Sequence, residues 1–91
     1  MSTEPQRAQD VTQAIRLILR EHGRLAGNVA VLGDDADLYE AGLTSHASVN
    51  LMLALEERFQ VEFPERMLQR RTFASIAAIR SSLLELDGAH T

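Results

Sequence analysis

Cysteine is absent from the 91 residues. Its absence excludes disulfide staples and thiolate metal sites, so the fold stands on apolar packing alone. Nothing calls for an oxidising compartment, and the cytoplasm is the expected one. Long apolar runs are also missing. No stretch approaches the roughly 18 apolar residues of a membrane span. Met1 to Asp10 are polar and lack the apolar core of a signal peptide. No segment alternates like a strand for long, and Gln60–Phe63 is too short to change that reading. What remains is a small helical protein.

Several chemistries fail for want of residues. A serine hydrolase needs a histidine turned toward its serine, but Ser45 and His46 are helix neighbours whose side chains diverge, and no G-x-S-x-G elbow is present. A calcium loop counted from Asp35 puts Tyr39 at position 5, Glu40 at position 6 and His46 at position 12, where acids and a glycine are needed. His22, His46 and His90 have no zinc-ligand spacing. No metal site and no catalytic residue are expected.

A chain of this length buries roughly 60–70% of the surface it exposes when unfolded, enough for one modest core. Residues 1–91 are expected to form one domain, with a core over about 7–86 and disordered tails. The net charge of −4 is unevenly spread. Residues 1–33 sum to +1, residues 34–65 to −7 and residues 66–91 to +2. The acidic middle repels phosphate backbones. Arg66, Arg70 and Arg71 form one small basic cluster, but there is no basic recognition face, so nucleic acid is not an expected partner.

Three helices are predicted. In the first, about Arg7 to His22, Val11, Ala14, Ile15 and Ile18 share one face, and Gly23 is the candidate C-cap. A long connection over 23–43 follows, with Leu32, Leu38, Tyr39 and Leu43 as anchors. The second helix runs from Thr44 or Ser45 to Phe59 or Gln60, with Ser48, Leu51, Met52, Leu55 and Phe59 on one stripe and Val49 and Leu53 on another flank. So greasy a helix is either central or exposes apolar surface to a partner. A short helix is predicted near Glu65–Arg70 after Pro64. Thr72 is the candidate N-cap of a last helix on which Phe73, Ile76, Ile79 and Leu83 keep helical spacing.

The informative stretch lies between Asp37 and Pro64. Gly42 stands three residues before Ser45, Leu55-Glu56-Glu57-Arg58-Phe59 closes the second helix, and Phe63-Pro64 follows. This pattern resembles the acyl carrier protein superfamily, and the likeness extends from about Val11 to Leu86. The resemblance implies an all-α, acyl-carrier-protein-like four-helix bundle: three main helices, one short one, and a long loop between the first two. It implies that Ser45 is the attachment serine for a 4'-phosphopantetheine arm, joined to it by a phosphopantetheinyl transferase. The arm's thiol then carries an acyl or aminoacyl cargo as a thioester between partner enzymes. An ATP-dependent ligase would load it and an acceptor enzyme would unload it. The protein itself would be a monomeric non-enzyme.

Departures from the family pattern fall on the site itself. Thr44 replaces the usual Asp before the serine, and His46 the usual Leu after it. Thr44 keeps a capping oxygen while the local negative charge is lost. Thr44, His46, Val49, Asn50, Leu53 and Glu57 are the expected partner-binding residues. Glu56 and Glu57 stand near a helix C-terminus, which the dipole disfavours, and such placement suggests retention for binding. With its Thr44-Ser45-His46 variant and few acids at the helix start, the chain resembles discrete carriers of aminoacyl or specialised acyl groups more than the housekeeping fatty-acid carrier, which implies an amino acid or a specialised acyl group as cargo. Length without a fused catalytic region argues against a piece of a giant synthase. The alternative is an unmodified helical interaction module using the same exposed face.

Overall fold

The computed structural model describes residues 4–23, 25 and 29–89. Its elements are three α-helices joined by 3-10 turns: α1 (Glu4–Ile18), α2 (Ser45–Phe59) and α3 (Ile76–Ala89). No strand occurs among the described residues. This is the helical bundle that the spacing of apolar residues predicts.

Helix α1 begins earlier than expected, at Glu4, with Pro5 in the first turn, where its missing N–H costs nothing. The predicted disordered tails thus prove helical over residues 4–6 and 87–89, and their remainder lies outside the described residues. Val11, Ala14, Ile15 and Ile18 are buried as their spacing requires. The helix continues into a π turn, Leu19–Gly23. Gly23 is not the left-handed cap expected of it, because Gly42 is the one glycine with positive φ among the described residues. Gly23 is buried instead, and an added Cβ would come within 3.2 Å of Leu19 Cδ2. Space, not backbone freedom, accounts for a glycine there.

Along α2, Ala47, Leu51 and Leu55 form the buried edge. Each leucine buried in this way contributes about 1.5–3 kcal/mol. The helix ends in a left-handed residue, Gln60 (φ 55°), whose backbone N–H donates to the Glu56 carbonyl. The predicted short helix is two 3-10 turns, Glu65–Met67 and Arg70–Phe73. Phe63 and Phe73 bracket them, edge to face, with ring centres 5.5 Å apart. Thr72 does not cap α3, because it is buried within the second of these turns. Ser75 takes that place, its Oγ accepting from the Ala78 amide at 3.0 Å. Ile76, Ile79, Leu83 and Leu86 then close the core from α3.

The connection between α1 and α2 is held by one acid. Asp34 Oδ1 accepts from Arg16 Nη2 of α1 at 2.6 Å, and Oδ2 accepts from Arg80 Nη1 of α3 at 3.0 Å. The Asp34 carbonyl accepts from the Ala77 amide at 2.9 Å. Arg16 also donates to the Val29 carbonyl, and Arg80 to Thr12 Oγ1. These hydrogen bonds, Arg80's first and then Arg16's, hold the Asp34 carboxyl below the usual carboxylate range.

Asp34→Asn tests this clamp. The side chain is 40% exposed, so screening limits the two ion pairs together to about 1 kcal/mol. That corresponds to a loss of roughly 4–8 °C in Tm for a domain of this size. A carboxyl lowered on folding stabilises above its unfolded value of about 3.9 and stops doing so as pH falls through the folded value. The Tm gap between wild type and Asp34→Asn is therefore full at pH 6 and closes in acid below about pH 4. A gap independent of pH would refute the clamp.

Candidate functional site

The approach to α2 is built by a tight turn. Asp37 Oδ1 accepts from the amides of Tyr39 and Glu40 at 2.9 and 3.3 Å. The Ala41 amide returns to the Asp37 carbonyl, and the Gly42 amide to that of Tyr39. Gly42 has φ 118°, a backbone conformation that side chains rarely adopt, which explains a glycine three residues before the serine. Buried Leu38 and Leu43 pin the two ends of the turn, with the Leu43 amide donating to the Leu38 carbonyl. The Leu38 amide donates to the Ala74 carbonyl at 2.8 Å, which fastens the turn to the segment before α3.

Thr44 is the N-cap. It is extended (φ −94°, ψ 166°), and its Oγ1 accepts from the Ala47 amide at 3.0 Å. Ser45 is therefore the first helical residue, not the cap. Its side chain is exposed, and its hydroxyl has no hydrogen-bond partner among the described residues. The amides of Ser45 and His46 are likewise unclaimed, while the Ser48 amide returns to the Thr44 carbonyl. The site thus offers a free hydroxyl beside two free N–H groups at the positive end of a 15-residue helix.

Thr44, Ser45, His46, Val49, Asn50, Leu53 and Glu57 are all exposed. At about 100° per residue, the positions from Ser45 to Glu57 fall within an arc of about 140°, opposite the Ala47–Leu51–Leu55 edge. Val49 and Leu53 are 51% and 53% exposed, which excludes a core role. Glu56 requires a correction. Its Oε2 accepts from the Phe63 amide at 2.9 Å and braces the chain where it leaves α2. Local structure accounts for this acid without a partner. Glu57, beside it, points to solvent.

Sequence reasoning missed the surroundings of the serine. A groove of about 510 Å³ runs from Ser45 between α2 and the 3-10 turns, lined by Val49, Met52, Leu68 and Phe73 together with Tyr39 and Arg70. Leu68 is another large apolar side chain left half exposed. The Arg70 guanidinium lies 3.8 Å over the Tyr39 ring, and the Tyr39 hydroxyl donates to the Arg70 carbonyl at 2.9 Å. Burial pushes the Tyr39 hydroxyl's pKa up, against an opposing pull from Arg70. The two residues are 31 apart in sequence, so no local spacing could have paired them.

Known proteins resemble this chain in sequence and fold. Residues 10–79 match the family described as "Phosphopantetheine attachment site". An aminoacyl carrier protein of Agrobacterium fabrum (strain C58) is 53% identical over 75 residues, covering 81% of this chain and 90% of that protein. A crystal structure of an engineered Bradyrhizobium japonicum glycine:carrier protein ligase, complexed with a carrier protein from Agrobacterium tumefaciens and ATP, contains a similar chain. It has a TM-score of 0.80 and 48% identity, covering 82% of this chain and 97% of that one. A chain from the Bradyrhizobium japonicum ligase complexed with glycylated carrier protein has a TM-score of 0.69 at 28% identity, covering 79% and 96%.

The division of labour between Thr44 and Ser45 can be measured. Thr44→Ala removes the cap bond and lowers stability by about 0.5–2 kcal/mol. Ser45→Ala removes no bond and stays within roughly 0.5 kcal/mol of wild type. Equal losses in thermal melts would show that both side chains cap the helix.

Proposed function

The chain belongs to the phosphopantetheine-dependent carrier proteins, the acyl carrier protein superfamily, and on that footing we propose that Ser45 bears the arm and that the cargo is an amino acid. The observation that carries the assignment to Ser45 is its exposed, unbonded hydroxyl at the first position of α2.

The residues present suit the group. An esterified phosphate needs an accessible oxygen and tolerates no neighbour that must be broken away first. Ser45 meets both needs, because Thr44 does the capping. The free amides of Ser45 and His46 and the helix dipole favour the phosphate's charge by about 0.3–1 kcal/mol. In the modification step, Ser45 Oγ displaces the nucleotide part of coenzyme A at phosphorus, and its proton passes to a base on the transferase. The bound group supplies the thiol on which a cargo is carried as a thioester, so the lack of cysteine is no obstacle. The protein contributes position and recognition.

An amino acid as cargo, and an ATP-dependent ligase as the enzyme that loads it, are supported by the likeness to an aminoacyl carrier protein and to chains from glycine:carrier protein ligase complexes. The ligase, the transferase and a downstream acceptor would in turn use the exposed arc of His46, Val49, Asn50, Leu53 and Glu57 beside the serine. Dependence on coenzyme A and ATP supports the cytoplasm as the site of this work. No helix among the described residues is long and apolar enough to cross a membrane. Reading the chain as an unmodified interaction module rests on the same exposed face and has no observation of its own.

Intact-mass measurement after incubation with coenzyme A and a broad-specificity phosphopantetheinyl transferase tests the attachment. Wild type gains the mass of one arm and Ser45→Ala gains none. An unchanged wild-type mass would leave the interaction module as the surviving reading.

Docking is tested by Leu53→Asp in the arm-bearing protein. Half of the Leu53 side chain is buried, so the substitution is expected to lower stability by about 1–2 kcal/mol and to leave the protein folded. Thioester formation with glycine, catalysed by a glycine:carrier protein ligase, is expected to slow markedly. Unaltered loading kinetics would remove this face from the docking surface.

A further inference from the structure

We propose that Arg70 is a ligand for the phosphodiester that joins the arm to Ser45, an inference that rests on Ser45 being the attachment residue. The protein is acidic overall, and three of its nine arginines are engaged in ion pairs among the described residues. Arg16 and Arg80 are held by Asp34, and Arg66 pairs with Glu85 at 3.3 Å. The Arg70 guanidinium has no carboxylate partner among the described residues. It is held by stacking on Tyr39 at 3.8 Å, while the Tyr39 hydroxyl bonds the Arg70 carbonyl. One residue is thus fixed at both its backbone and its side-chain end.

The manner of fixing decides what Arg70 can do. A carboxylate partner would consume the guanidinium's fork of N–H donors. A ring face consumes none, because stacking engages the plane of the cation and leaves its edge free. An ordered guanidinium with unspent donors is suited to an oxygen-bearing anion, which it binds through paired charge-assisted hydrogen bonds.

Ser45 and Arg70 line the same groove. A phosphate on Ser45 Oγ would lie at its mouth, with the free amides of Ser45 and His46 on the helix side. The first turn of α2 contains no acid to compete for the cation. Arg71, adjacent in sequence and equally charged, is not among the residues that line the groove, which makes it a natural control.

The experiment uses the arm-bearing protein, after intact mass has shown one arm on Ser45. The ³¹P resonance of the phosphodiester is compared in wild type, Arg70→Gln and Arg71→Gln. Arg70→Gln is expected to shift and narrow the line, and Arg71→Gln to leave it in place. In unaltered wild type, raising the salt concentration is expected to shift and narrow the line, since screening weakens an exposed contact. This series needs no variant. A line common to wild type and Arg70→Gln, a line moved as far by Arg71→Gln, or a wild-type line indifferent to salt would each overturn the proposal. A wild type that acquires no arm would overturn the attachment reading and this one with it, whereas an arm with an unmoved line overturns this one alone.

Discussion

A single carboxylate gathers parts of the chain that sequence keeps far apart. Asp34 sits on the connection between α1 and α2, yet its oxygens are shared by Arg16 of α1 and Arg80 of α3, and its carbonyl by Ala77. A connection of this length would be a loose strap in a protein without staples. Clamped at Asp34 and anchored by Leu38 and Leu43, residues 34–43 become a fixed platform that delivers Gly42, Thr44 and Ser45 to the head of α2. The site inherits its geometry from this anchoring.

The second helix serves two surfaces at once. Its buried edge of Ala47, Leu51 and Leu55 belongs to the core, while Val49 and Leu53 face outward beside the serine. That arrangement explains why the helix is apolar around more than half its girth. The acids gather away from its first turn, on the preceding loop and at the helix C-terminus. The groove beside Ser45 is apolar and polar-neutral, edged by Arg70, although the segment that contains the serine is acidic overall.

Periodicity made the helices legible, because apolar residues three and four apart must share a face. It located the buried stripes on α1 and α3 and the outward pair on α2. The serine proposed to bear the arm was singled out by the pattern around it. Local spacing said nothing of contacts between distant residues. Asp34 and Arg80 are 46 residues apart, and Tyr39 and Arg70 are 31 apart, so the acid read as one charge in a block and the arginine as one of a surface cluster. Caps were misassigned where two candidates stood close together. Thr72 and Ser75 both carry an oxygen acceptor, and burial of the 3-10 turn decided for Ser75. Glu56 looked like a residue kept against local stability because its bond to the Phe63 amide closes only in three dimensions.

Thr44 and Ser45 divide two duties between adjacent residues. The stopper that keeps the helix wound and the handle proposed for the arm are different side chains. Chemistry at the handle, whether addition, removal or replacement, therefore leaves the winding of the helix untouched. A protein that must be derivatised after it has folded, and handled repeatedly, gains durability from keeping its fastening separate from its frame.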